Sequence, residues 1–140
     1  MEKNQPSILI VDDSKFFCSW LEDFLKKEGY ESKTVNNGYK AIDEVKKDQK
    51  DIIFMDVNMP GIDGFGTLRR IKKINKDLIV IMITAKGDVN TVTKLLKGGA
   101  DDYIQKPIAN EERLRALHSA NGKRKLILEN RTLHSKLKEK

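Results

Sequence analysis

The chain alternates between two hydrophobic patterns. Residues 52–55 and 78–83, together with Ile8–Val11, are short runs that are almost wholly apolar and rich in β-branched side chains. Ser32–Val35 and residues 103–104 are weaker runs of the same kind. Continuous apolar runs of this length fit strands covered on both faces. Between them, apolar residues recur at helical spacing. Trp20, Leu21, Phe24 and Leu25 form the first stripe, and Ala41, Ile42 and Val45 the second. Phe65, Leu68, Ile71 and Lys72 form a partial third, and Val89, Val92, Leu95 and Leu96 a fourth. Gly29 and the pair Gly98 and Gly99 stand where the first and fourth helices should end. The order β-α-β-α-β-α-β-α-β-α predicts an α/β domain, a parallel sheet with helices on both faces.

A length of 140 residues is enough for one such domain with a buried core. With 39% hydrophobic and 34% charged residues the chain has the balance of a folded soluble protein and not of a disordered one. Cys18 is the single cysteine, so no internal disulfide forms and nothing points to secretion. The first seven residues lack the apolar centre of a signal peptide, and no run approaches the roughly 20 apolar residues of a membrane span. The expected location is the cytoplasm, with no membrane partner.

The net charge of +6 is unevenly placed. Residues 111–140 carry nine Lys/Arg against four Asp/Glu, and residues 1–110 carry 18 against 17. The basic tail reads first as a solvated helix face. Nucleic-acid binding by this segment is not expected, because no helix-turn-helix pattern accompanies the charge. Asn121 and Gly122 form a helix-stop signal, after which Leu126, Asn130, Leu133 and Leu137 fall at d-a-d-a heptad positions. An Asn at an a position fixes register and dimer state in coiled coils. The run is short, and a charged helix or frayed tail fits it equally well. The expected organisation is a domain over residues 1–120 and a basic helical extension over 121–140, one reading of which is a coiled-coil linker to an output domain outside these residues.

In doubly wound sheets ligands gather at the carboxyl ends of strands. The first strand delivers Asp12 and Asp13 there, the third Asp56, the fourth Thr84 and the fifth Lys106 followed by Pro107. Packed carboxylates repel unless a cation offsets them, and Mg²⁺ takes carboxylate oxygens while accepting phosphate. Lys106 adds a compact charge for a phosphate oxygen, and Thr84 a hydroxyl donor. This set has what phosphoryl transfer to a carboxylate requires: nucleophile, metal and charge-stabilising donors. Any one of these residues alone is more often a turn former or helix cap, and Asp13 could be only the cap of a helix beginning near Ser14.

Four segments carry a resemblance to a known family. They are Ile-Leu-Ile-Val-Asp-Asp at 8–13, Asp-Val-Asn-Met-Pro-Gly-Ile-Asp-Gly at 56–64, Ile-Thr-Ala at 83–85 and Gly-Ala-Asp-Asp-Tyr-Ile-Gln-Lys-Pro at 99–107. In this order, across roughly residues 6–120, the chain resembles the receiver domain of two-component response regulators. The resemblance implies a flavodoxin-like five-stranded sheet in the order 2-1-3-4-5 with five helices, followed here by the C-terminal helical extension. It implies that Asp56 is phosphorylated by a sensor histidine kinase. Asp13, Asp56 and the main-chain carbonyl of Asn58 would bind Mg²⁺ or Mn²⁺, Asp12 would act mostly through a metal-bound water, and Lys106 would pair with the phosphoryl group. Thr84 and Tyr103 would be the switch pair. Ala85 would leave room for the phosphoryl group, the Lys106–Pro107 peptide would be cis, and Pro60, Asp63 and Gly64 would shape the following loop, with Asp63 structural. Ile108 departs from the Phe frequent in the family. Asn58 and Lys86 flank the acceptor and are expected to tune hydrolysis.

The expected function is a phosphorylation-driven switch acting on an output domain or target protein, with a homodimer through the fifth helix or the extension as a further possibility. It is not expected to be a metabolic enzyme, since it would catalyse only its own phosphorylation and dephosphorylation. An aspartyl-phosphate phosphatase would need a general acid two residues after the nucleophile, and Asn58 stands there. The alternatives carried forward are an interaction module independent of phosphorylation and a tail-mediated nucleic-acid binder.

Overall fold

The computed structural model describes residues 5–85 and 87–138, with side chains to residue 133. Five strands, β1 (Ile8–Val11), β2 (Ser32–Val35), β3 (Ile52–Asp56), β4 (Ile79–Thr84) and β5 (Asp102–Gln105), alternate with five helices. The helices are α1 (Lys15–Lys27), α2 (Gly38–Lys47), α3 (Gly64–Ile74), α4 (Val89–Lys97) and α5 (Asn110–Lys138). Every strand pair is parallel, and the sheet runs β2-β1-β3-β4-β5. The strand order therefore reverses beside β1 and β3, which makes their carboxyl ends the switch point.

Alternate residues of each strand feed opposite faces. Leu9, Val11, Ile53, Met55, Val80 and Met82 pack with Ala41 and Val45 of α2, Leu68 and Ile71 of α3, and Leu95 of α4. Ile8, Ile10, Phe54, Ile81 and Ile83 pack with Leu21 and Leu25 of α1 and Ala116 and Leu117 of α5. The first four helices begin on side-chain caps: Ser14, Asn37, Asp63 and Asp88 each accept a backbone N–H three residues on. Gly29 and Gly99 have φ of +93° and +105°, so the expected glycine exits are present.

Three expectations change. The fourth stripe is not a buried face: Leu95 is buried, but Val89 is 79% and Leu96 50% exposed. α4 is nine residues long and lies against β5, the sheet edge, so a single row of its side chains reaches the core. The stop signal at Asn121 and Gly122 does not end α5, which continues to Lys138. A helix-interior Gly costs about 1 kcal/mol, and anchors on both sides offset it. Asn121 donates to the Tyr30 hydroxyl, Lys123 pairs with Asp101, Arg124 lies 3.8 Å from Asp51, and Arg131 lies 2.9 Å from Asp77. Leu126, Asn130 and Leu133 of the heptad face solvent in this chain, and the Leu137 side chain lies outside the described residues. The basic excess is also not confined to the tail. α3 and α4 carry Arg69, Arg70, Lys72, Lys73, Lys94 and Lys97 without one acidic residue, a segregation hidden by the near-neutral sum over residues 1–110.

An ideal Cβ on Gly122 would meet nothing within 4 Å. Gly122→Ala is therefore expected to raise unfolding free energy by about 0.5–1 kcal/mol, measured by denaturant titration. A loss of stability would show that α5 breaks there in solution.

Candidate functional site

The parallel registers bring one residue from each central strand end to the same edge. Val11 lies opposite Met55, Asp56 opposite Ile83, and Thr84 opposite Gln105. Asp12, Asp13 and Asp56 each offer a carboxylate oxygen within 4.8 Å of one another. Lys106 Nζ lies 3.2 Å from Asp12 Oδ2 and 3.9 Å from Asp56 Oδ2. The Lys106–Pro107 peptide is cis, as expected.

The three carboxylates are differently engaged. Asp12 is buried; its Oδ1 accepts the Ser14 N–H at 2.9 Å, its Oδ2 accepts from Lys106, and its carbonyl accepts the Cys18 thiol at 3.3 Å. Asp13 is exposed, and Ser14 rather than Asp13 caps α1. Asp56 is buried, and among the described residues its carboxylate accepts one long contact, 3.4 Å, from the Asn58 N–H to its Oδ1. The chain then doubles back tightly. The Gly64 N–H donates to the Val57 carbonyl at 2.8 Å, and a Cβ on Gly64 would stand 2.6 Å from the Asp56 carbonyl oxygen. Asp63 caps α3 and is structural, as expected.

Burial pushes the Asp56 carboxyl up to about 6, with the Asp12 charge adding to the effect and Lys106 opposing it. Among the described residues one ammonium, that of Lys106, pairs with these carboxylates, and one does not balance three. The donor set therefore fits a hard divalent cation: oxygen ligands only, an exposed Asp13 open to solvent, and an Asp56 whose charge is under-compensated among the described residues.

Residues 8–118 match the response regulator receiver domain family. The chain belongs to that family. Receiver domains serve phosphorylation-based signalling in two-component systems and bind Mg²⁺ through an acidic cluster, which this receiver domain has in Asp12, Asp13 and Asp56. It is 36% identical over 112 residues to the chemotaxis protein CheY of Bacillus subtilis, covering 79% of this chain and 93% of that protein. It is 34% identical over 136 residues to the C4-dicarboxylate transport transcriptional regulatory protein DctD of Pseudomonas aeruginosa, covering 97% of this chain but 29% of that regulator. Among solved structures, NtrX from Brucella abortus aligns with a TM-score of 0.85 at 28% identity, over 92% of this chain and 29% of that one. A receiver domain protein from Methanospirillum hungatei aligns at 0.82 with 23% identity, over 87% and 98%, a likeness of fold.

The remaining expected residues of the receiver domain are placed as follows. Thr84 is buried at the end of β4, and its carbonyl accepts the Lys106 N–H at 2.8 Å. Tyr103 is half-buried on β5 opposite Met82, packed on the α2–α3–α4 side of the sheet. Asn58 and Ala85 are exposed beside the acceptor, and Lys86 lies outside the described residues. His118 is exposed on α5, away from the carboxylate cluster, and the His134 side chain lies outside the described residues. Two site neighbours escape the sequence pattern: Cys18, whose thiol holds the Asp12 carbonyl, and Phe17, whose ring lies under the Lys106 ammonium at 4.3 Å. A signal for the second exists, since Phe16 and Phe17 are adjacent on a helix and cannot share one buried face.

The Asp56 shift has a stability consequence with a definite sign. The folded state holds this proton more tightly than the unfolded chain, whose carboxyl titrates near 3.8. Stability thus falls as pH rises from about 4 to about 6, by on the order of 2–3 kcal/mol for this one group. Asp56→Asn should therefore melt higher than wild type at pH 7 in a chelator, with the difference closing below about pH 4. Equal melting temperatures at pH 7 would contradict the uncompensated carboxylate.

Proposed function

We propose that this receiver domain takes a phosphoryl group onto Asp56 from the phosphohistidine of a sensor histidine kinase, and that the altered surface regulates an output domain or target protein. The observation supporting this reading is the convergence of a buried, poorly compensated carboxylate with two further carboxylates and one ammonium at the switch point. An Asp56 carboxylate oxygen attacks phosphorus while the P–N bond to the imidazole breaks, and the nitrogen keeps the bonding electron pair. Lys106 stands 3.9 Å from that carboxylate and offsets charge on a phosphoryl oxygen. Asp13, Asp56 and the main-chain carbonyl of Asn58 would hold the cation, Mg²⁺ or Mn²⁺. Asp12, already engaged by Ser14 and Lys106, would act from behind. When bound, the cation supplies the positive charge that lets phosphoryl oxygens approach this acidic edge.

The Thr84 hydroxyl then turns toward the phosphoryl group, and Tyr103 turns inward behind it. Moving such a two-state equilibrium from one end to the other needs about 5 kcal/mol of differential interaction, which a dianionic group beside Lys106 and a divalent cation supplies. Water later hydrolyses the acyl phosphate, with Asn58 and Lys86 tuning its lifetime. The domain is a switch and not a metabolic enzyme, and its place of action is the cytoplasm. Among the described residues no helix is long and apolar enough to cross a membrane. The exposed Leu126 and Leu133 on α5 favour a homodimer formed along the extension.

Acetyl phosphate with Mg²⁺ is expected to add one phosphoryl mass to the wild-type protein, read by intact-mass spectrometry. The gain should vanish with chelator or in Asp56→Asn, and Lys106→Ala should slow it. A mass gain that survives Asp56→Asn would refute the acceptor.

A further inference from the structure

The Lys106 ammonium has a third partner besides Asp12 and Asp56. Its Nζ lies 4.3 Å from the centroid of the Phe17 ring. Phe17 sits in the first turn of α1, where its own N–H donates to Ser14 Oγ at 3.1 Å, so its backbone is fixed by the cap. Its ring packs against Trp20, with centroids 5.5 Å apart and planes inclined by 39°. Arg113 of α5 lies over Trp20 at 4.2 Å and over Phe24 at 4.3 Å. The ring beneath Lys106 is therefore backed by Trp20, which Arg113 of α5 covers in turn.

We propose that Phe17 is a positioning residue for phosphoryl transfer, its ring face holding the Lys106 ammonium at the acceptor before the phosphoryl group arrives. The inference rests on Asp56 being that acceptor. The lysine side chain is 30% exposed on a flexible stem, and its closer carboxylate is Asp12, not Asp56. Left to these two charges, the ammonium would be drawn toward Asp12 and free to swing into water. A ring face attracts the cation through its quadrupole without accepting a conventional hydrogen bond. The three N–H donors stay available for Asp12, Asp56 and an arriving phosphoryl oxygen. A carboxylate at position 17 would also tether Lys106, but it would cancel the charge that the site needs. A leucine would fill much of the volume without attracting the cation. The aromatic ring fixes the lysine and leaves its charge unspent, which is the preorganisation that charge stabilisation in a transition state requires.

Two variants and two readouts test this. Acetyl phosphate is the donor, because a small molecule reports on the site without kinase docking. At saturating Mg²⁺, Phe17→Leu should be phosphorylated about three- to tenfold more slowly than wild type, with a melting temperature close to wild type, and Phe17→Tyr should keep the wild-type rate. By NMR, the Lys106 ε-methylene resonance should lie upfield in wild type and Phe17→Tyr from the ring current. In Phe17→Leu it should move to the position of a lysine without a ring beneath it. That spectrum is taken with no phosphoryl donor, so it stands apart from the acceptor assignment. A wild-type protein that gains no phosphoryl group, or an Asp56→Asn protein that does, sinks the acceptor reading. If wild type is phosphorylated but Phe17→Leu keeps its rate, or its methylene resonance stays where it was, the positioning role is overturned. Equal slowing of Phe17→Tyr would overturn it too, since lost packing would then account for both variants.

Discussion

Everything at the carboxyl edge of this sheet follows from one uncomfortable placement: an ionisable side chain, Asp56, buried beside Asp12 at the end of a fully buried strand. The parallel topology enforces it. β1 and β3 are neighbours, so their terminal acids must meet, and no crossover can separate them without abandoning the strand order. Among the described residues the answer is a single ammonium, that of Lys106, brought in from the end of β5. That is too little charge to settle three carboxylates, and the unbalanced charge that remains suits the edge to a cation.

Asp101 shows that the imbalance is a property of the site and not of buried aspartates in this fold. Burial would raise its carboxyl as well. Hydrogen bonds from Lys123 and Lys72 and from the Val80 N–H outweigh burial and hold it below the usual range. Lys72 also donates to the Leu78 carbonyl at 2.6 Å, so this carboxylate ties α3, β4 and α5 together. Two aspartates of similar burial thus take opposite directions. Asp101 is fully partnered and structural, while Asp56 has fewer partners among the described residues. The contrast lies in what surrounds each carboxylate, and residue type carries none of it.

This explains which parts of the molecule were legible in the chain. The strands and the acids at their ends were readable because periodicity and topology need only local sequence. The pairing of Asp12 with Lys106 spans 94 positions and followed only from knowing that both close on one edge. Asp101 and Asp102 sit side by side in sequence, and nothing local says that one gathers three donors while its neighbour turns outward to Arg115. The error at Asn121 and Gly122 has the same origin. A stop signal is a local propensity of about 1 kcal/mol, and the Tyr30, Asp101, Asp51 and Asp77 anchors that override it come from four other parts of the chain. The α4 stripe failed differently: the period was right, but a short helix over a sheet edge had too little sheet beneath it to bury both rows.

The same anchors decide how a change at the acceptor would travel. Lys106 leads through the cis Pro107 into α5 within four residues, and α5 is not a free tail. It is clamped to the α3–β4 and α2–β3 turns by Arg131 and Arg124 and to the start of β5 by Lys123. Arg113, near its amino end, is stacked on α1 through Trp20 and Phe24. Lys106 thus has two structural neighbours: β5, which carries Tyr103, and the α1–α5 seam, which it meets at Phe17. Tyr103 packs on the α2, α3 and α4 side of the sheet, where α3 and α4 carry their one-signed row of lysines and arginines. The sheet separates the two hydrophobic clusters, and Asp56 sits at the edge where both begin.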